Sequence, residues 1–127
     1  MLKKTLWTTV VSPYIRLKYA DSNGYVKCVT CGRVYHYKKM QAGHFIHKLN
    51  ATYFIEMNLH PQCLRCNYYL SGNMGDYRKF MENTYGKDKV EELEITSKPN
   101  FKLTDDYLQE VKDYYKPKLD KLLKEIL

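Results

Sequence analysis

An α+β fold with a metal-stapled centre and helices at both ends is predicted by three observations. Two Cys-x-x-Cys pairs, Cys28–Cys31 and Cys63–Cys66, stand 31 residues apart. That interval carries strand-like runs at Ala42–Ile46 and Thr52–Ile55, rich in β-branched and aromatic residues. Helical spacing appears on either side of it. Two such cysteine pairs suit a tetrahedral zinc, which takes soft deprotonated ligands. The interval exceeds the about 15–20 residues of a simple zinc ribbon and has room for a whole hairpin. Knuckle, hairpin, knuckle and helix is the treble-clef plan. Four thiolates leave zinc no open position, so this ion would be structural. Two disulfides or free thiols are the alternative.

Each element has a local reason. Ser12-Pro13 reads as a helix start, with Ser as N-cap and Pro in the first turn. Tyr14, Ile15, Leu17 and Tyr19 supply its apolar faces. Asp21-Ser22-Asn23-Gly24 is a turn, and Tyr25–Val29 a strand entering the first knuckle. Gly32 permits the tight turn there. Pro61–Cys66 reads as the second knuckle at a helix start, closed by Ser71-Gly72-Asn73. Asn73 is expected to cap a helix over Met74–Tyr85, stopped by Gly86. Lys87–Ile95 forms another helix, and Ser97–Lys102 a linker with Pro99-Asn100. Thr104 caps the last helix, with Asp105 and Asp106 in its first turn. Its apolar stripe is Leu108, Val111, Tyr115, Leu119, Leu122 and Ile126, and Pro117 should kink or split it. Residues 1–96 are expected to form the zinc-stabilised unit with its N-terminal basic helix. Residues 97–127 are a linker and helix that either pack on that unit or dimerise it.

The 127 residues suit one modest core, for which a metal staple helps. Formal net charge is +7, unevenly spread. Residues 1–48 hold nine Lys/Arg against one acid, and residues 81–127 nine against eleven. Thiolate zinc would leave the chain at +5, still basic. A polyanion is the expected partner, DNA or RNA before a membrane surface, since no strongly basic amphipathic helix stands out. Lys3, Lys4, Arg16, Lys18, Lys38 and Lys39 are the candidate phosphate contacts; an ordinary solvated face is the alternative for any one of them. Thirteen tyrosines suit a mixed-polarity core or base stacking. No transmembrane run or cleavable leader is evident, so a reducing cytoplasm is expected.

Chemistry-bearing residues cluster between the cysteine pairs. His44 follows Gly43, whose bare backbone admits close approach. Asn58 comes fourteen residues later, and Asn67 directly after Cys66. Phosphodiester hydrolysis needs a base, charge shielding and help for the leaving oxygen. A near-neutral histidine suits the base. A hard cation, Mg²⁺ or Mn²⁺, suits the shielding, with oxygen ligands such as the Asn67 carboxamide. Asn58 would orient His44 or tie the hairpin together. His60 could support the site, bind metal or lie at the surface. His47, Glu56 and Asn73 are accessory candidates, and His36 an ordinary surface histidine. A satisfied structural histidine and a helix-capping asparagine are the bland readings of His44 and Asn67.

The order His–Asn–Asn on hairpin then helix resembles the HNH, or ββα-metal, nuclease signature. The text from Tyr14-Ile15-Arg16-Leu17 through Cys28-Val29-Thr30-Cys31-Gly32, Ala42-Gly43-His44-Phe45, Asn58-Leu59-His60-Pro61-Gln62-Cys63, Cys66-Asn67 and Leu70-Ser71-Gly72-Asn73 resembles the lambda NinG (Rap) family of phage recombination endonucleases. Tyr77 and the Tyr114-Tyr115-Lys116 helix extend the likeness over most of the chain. The resemblance implies a ββα-metal core and cutting of branched DNA, including Holliday junctions and D-loops, inside the bacterial host. It implies catalytic or metal roles for His44 and Asn67, supported by Asn58, His60 and Asn73. Many HNH enzymes carry Asp or His just before the base as a ligand; here that position is Gly43. The ligand then comes from elsewhere, or His44 binds metal and His47 is the base. A non-catalytic zinc module that binds nucleic acid, and a sequence-specific HNH homing or restriction nuclease, are the competing functions. Junction cutting needs two incisions, which suits a homodimer.

Overall fold

A computed structural model describes residues 2–47, 49–97 and 100–126. The chain is mixed α+β, with two small antiparallel sheets set among helices. The N-terminal helical run begins well before Ser12. It comprises α1 (Lys3–Leu6), a π-helical turn (Trp7–Val11) and α2 (Ser12–Lys18). Ser12 is therefore not an N-cap. Pro13 cannot donate to the preceding turn and crowds the carbonyl four residues back. A π turn placed before it loosens the ladder and lets the run continue.

Asp21 builds the predicted turn: its carboxylate accepts from the backbone of Asn23 at 3.0 Å and Tyr25 at 2.9 Å. Strands β1 (Tyr25–Lys27) and β2 (Val34–His36) flank the first knuckle. The short β2 was not anticipated. Strand β3 (Gln41–His44) pairs with β4 (Leu59–Gln62), with Gly43 opposite His60 and His44 opposite Leu59. Here the sequence reading needs correction. Thr52–Ile55 is no strand; helix α3 (Asn50–Tyr53) takes its first half and a turn at Phe54 follows. β-branched composition misleads because this segment packs inside the hairpin's loop, with Ala51 and Thr52 buried. The second strand instead contains Pro61, whose carbonyl accepts from Val29 at 3.1 Å.

Leu64 leads into a π turn, Arg65–Tyr69, that carries the second knuckle. Helices α4 (Met74–Tyr85) and α5 (Lys87–Thr96) occupy the predicted spans, separated by Gly86 at φ +89°. Helix α6 (Asp105–Glu125) is capped by Thr104, whose hydroxyl accepts from Tyr107 N. It runs unbroken through Pro117, so the expected split is absent. The predicted linker falls partly outside the described residues, at Lys98 and Pro99.

Three apolar clusters hold the site. Leu108, Val111, Tyr115 and Leu119 of α6 pack with Leu6, Val10, Val11, Tyr14, Ile15 and Leu17. The C-terminal stripe is thus used within the chain. Val26 and Met40 pack around the cysteines. Phe45, Tyr77, Met81, Val90 and Leu93 join the hairpin to α4 and α5. Among the described residues, no helix is long and apolar enough to cross a membrane.

Candidate functional site: a four-thiol cluster beside a histidine cleft

The four cysteines converge. Their sulfurs all lie within 4.8 Å of one another. Cys31 and Cys63 Sγ are 3.7 Å apart. That is far beyond a disulfide bond and matches the about 3.8 Å edge of a tetrahedron with Zn–S near 2.3 Å. Gly32, at φ +80°, turns the first knuckle so that its N–H donates to Cys28 O at 2.9 Å. Burial pushes the Cys28 thiol up, but hydrogen bonds from Thr30 and nearby backbone amides outweigh it and bring the group below its ordinary range. Burial holds Cys31 and Cys63 high. Four thiols this close, three of them buried, cannot all ionise without a cation among them, and this donor set fits zinc. Asn73 is left-handed, at φ 49°, and makes no side-chain cap. Its amide donates instead to Cys66 Sγ at 3.6 Å, because the bend at Ser71–Asn73 folds it back over the knuckle.

Beside the cluster lies a cleft of about 490 Å³ lined by Lys3, Trp7, Ala42, His44, His47, Tyr53 and Asn67. The hairpin brings His44 to the cleft, and the π turn that carries the second knuckle brings Asn67 to it. His44 Nε2 is 3.0 Å from the carbonyl of Tyr53. A carbonyl only accepts, so Nε2 carries the proton and Nδ1 keeps its lone pair. Trp7 stacks on the imidazole, with centroids 4.7 Å apart at 22°, and Tyr53 packs on it at 4.4 Å. Burial is the main reason its pKa falls to about 4; His47 and Lys3 lower it further, against the Tyr53 bond.

Asn58 is fully buried and ties the loop between the strands. Its Oδ1 accepts from Ile46 N at 2.7 Å, and its Nδ2 donates to Ile46 O and Thr52 O. It thereby holds the segment whose Tyr53 carbonyl fixes His44. Its role is loop closure next to His44, with no contact to the ring itself in these bonds.

His60 stands apart from the cleft. Tyr77 OH donates to Gly43 O at 2.8 Å, so it accepts from His60 Nδ1 at 3.0 Å. His60 Nε2 then accepts from Tyr85 OH at 2.7 Å. Both nitrogens are used, and burial pushes the pKa down to about 3. Glu56 also lies elsewhere: it pairs with Lys18 at 2.8 Å and accepts from Tyr14 and Tyr114, pinning α2 and α6 to the hairpin loop.

Of the candidate phosphate contacts, Lys3 reaches the cleft, bonded to Asn50 Oδ1 at 3.0 Å and lying over the Tyr53 ring. Lys4, Lys38 and Lys39 are exposed. Lys18 is committed to Glu56, and Arg16 donates to Tyr37 O at 2.9 Å. His36 accepts from Lys38 N at 3.3 Å, at the start of the turn Tyr37–Lys39.

Trp7, Tyr53 and Gln62 escaped the sequence reading. Gln62 is fully buried beside Gly43. A glutamine between the apolar face of a strand and a cysteine was the available signal. Trp7 and Tyr53 reach His44 only through packing of the N-terminal helix and α3.

Fold and cluster together define a small α+β protein with a four-thiol site suited to zinc. The chain belongs to the NinG family, since the family described as "Bacteriophage Lambda NinG protein" matches residues 4–125. It is 34% identical over 86 residues to "Protein ninG" of Escherichia phage 933W, covering 66% of this chain and 40% of that protein. The phage lambda protein of the same name is 33% identical over 86 residues, with the same coverage. The Salmonella phage P22 protein is 31% identical over 114 residues, covering 88% of this chain and 53% of the relative. The chain thus spans about half the length, or less, of the curated relatives it matches. No solved structure matches it.

Proposed function

We propose that this chain is a metal-dependent endonuclease of the HNH, or ββα-metal, kind, which hydrolyses phosphodiesters in branched DNA such as Holliday junctions and D-loops during phage recombination. The observation that carries this reading is the state of His44. It is held by Tyr53 and Trp7 in a cleft, neutral, with Nδ1 free of the Tyr53 bond. That leaves Nδ1 a lone pair with which to take a proton, on a ring whose pKa of about 4 makes it a weaker base than the near-neutral histidine expected from the sequence. The strand–strand–helix order of β3, β4 and the turn after Cys63 supports it, as does Asn67 in the same cleft.

In this mechanism Lys3 draws a phosphate toward the cleft, and His44 Nδ1 takes the proton of the attacking water. Tyr53 O and Trp7 keep the ring aimed, and Asn58 keeps the loop that carries Tyr53 closed. Asn67 would hold a Mg²⁺ or Mn²⁺ ion through its carboxamide oxygen. When bound, that ion supplies Lewis-acid shielding of the phosphate and its leaving oxygen. Exposed Tyr68 and Tyr69, next in sequence, offer faces for unpaired bases at a branch.

One observation favours a second reading, a zinc module that binds nucleic acid without cutting it. The stacked, half-enclosed His44 also has the environment of a structural residue. A cleavage panel of four-way junction, flap, D-loop and linear duplex, each in Mg²⁺ and in Mn²⁺, separates the two. Incision of a branched substrate supports the nuclease. Binding without incision across the whole panel supports the module, and incision of linear duplex at one defined sequence would point to a sequence-specific enzyme.

A further inference from the structure

Two carboxamide oxygens face the same point beside Gly43. Gln62 is fully buried and spends both amide hydrogens, donating to Gly72 O at 2.8 Å and Thr30 Oγ1 at 3.2 Å. Thr30 Oγ1 in turn lies 3.3 Å from Cys28 Sγ. Those acceptors settle which way the amide points, since a flipped group would set oxygen against the Gly72 carbonyl. Oε1 therefore faces Gly43, and among the described residues it has no hydrogen-bond donor. Asn67 Nδ2 donates to Gln41 Oε1 at 2.6 Å, an arrangement that turns Oδ1 toward Gly43. A Cβ built on Gly43 would lie 1.8 Å from Gln62 Oε1 and 3.1 Å from Asn67 Oδ1.

Two oxygens carrying partial negative charge thus converge where no described donor separates them. A buried acceptor left this way is costly, and such a group in a native fold calls for an ion or a water. Neutral carboxamide oxygens are ligands for hard cations. We propose that Gln62 Oε1 and Asn67 Oδ1 together ligate one divalent cation of the Mg²⁺ or Mn²⁺ class, with Gln62 reaching into the space that the missing side chain of Gly43 leaves. Glu56, the acidic candidate, is engaged with Lys18, Tyr14 and Tyr114. Two neutral ligands hold a dication weakly, so the ion is retained only when a DNA phosphate adds charge to its shell. This rests on the nuclease reading and assigns the ligand that the reading lacks.

The test measures Mn²⁺ uptake by electron paramagnetic resonance, on the zinc-loaded full chain with and without a four-way junction, after subtracting uptake by the junction alone. The unmutated protein is expected to bind Mn²⁺ with the junction and hardly at all without it. Gln62→Ala should raise half-saturating Mn²⁺ about tenfold or more, with zinc content and circular dichroism unchanged. Gly43→Asp alone should be impaired, because its Cβ meets Gln62. In the Gln62→Ala background, Gly43→Asp should recover Mn²⁺ binding. Unchanged Mn²⁺ affinity in a folded Gln62→Ala protein, or failure of the double variant to recover it, would overturn the assignment. If the unmutated protein cuts junctions and Gln62→Ala keeps its Mn²⁺ affinity, only this assignment fails. If the unmutated protein neither cuts nor takes up Mn²⁺, the nuclease reading fails with it.

Discussion

His44 and His60 stand on neighbouring strands of one hairpin, and both are held well below the ordinary histidine pKa by burial. Their wiring differs. His60 has a tyrosine on each nitrogen and no lone pair left. His44 has one nitrogen committed to a carbonyl and the other left out of that bond, in a wall of the cleft. Burial and a depressed pKa are therefore common to both histidines. The count of committed nitrogens is what differs. The hairpin register explains the split, because residue 44 sits at the strand end nearest Asn67's cleft, whereas residue 60 faces α4 with its Tyr77 and Tyr85.

The harshest way to break the comparison is to keep zinc out of the thiol cluster. Chelation should unfold the chain, since structural zinc in small domains contributes on the order of 10 kcal/mol. Both histidines would then titrate alike, near 6.5, by proton NMR; retention of two distinct, low-titrating rings would show that the cluster does not hold the hairpin.

Replacing one histidine at a time sharpens the contrast. His60→Ala takes the donor from the buried Tyr77 hydroxyl and the acceptor from the half-buried Tyr85 hydroxyl and opens a cavity, so urea unfolding should report a loss of about 3–4 kcal/mol. His44→Ala should cost less, about 1–2 kcal/mol. Equal losses would argue that the two sites are equally structural.

Acid supplies a smaller effect whose direction follows from the shifts. Each histidine is neutral in the fold, while the unfolded chain takes up protons below about pH 6.5. Stability from these groups is therefore whole above that pH. It falls as pH drops toward about 4 for His44 and about 3 for His60. His60→Ala should flatten this part of the stability curve, and an unchanged slope would contradict the buried neutral state. The smallest change expected is from Trp7→Ala. It should move the His44 titration upward toward 6.5 and leave that of His60 in place.

Much of this arrangement was legible in the residues. Cysteine spacing located the thiol cluster, and Gly43-His44 with Cys66-Asn67 located the cleft. Capping by Thr104 and the stop at Gly86 were local chemistry and came out correctly. What stayed hidden depended on cross-strand and interhelical geometry. Gln62 approaches Gly43 only through the β3–β4 register, and Trp7 meets His44 only because the helix continues through Pro13. Thr52–Ile55 was misjudged because strand-like composition describes a half-buried surface as well as a strand. Glu56 was drawn toward the site by its sequence position, whereas the fold spends it on Lys18 and two tyrosines.

The central claim is that His44 acts on a bound phosphodiester while His60 holds the scaffold. Its most direct test compares junction cleavage and junction binding for His44→Ala in Mg²⁺ and Mn²⁺. A general base contributes typically 10²–10⁴-fold, so cutting should fall by about that factor while binding and zinc content stay as in the unmutated protein. Cutting at an undiminished rate by a folded, junction-binding His44→Ala protein would contradict the account.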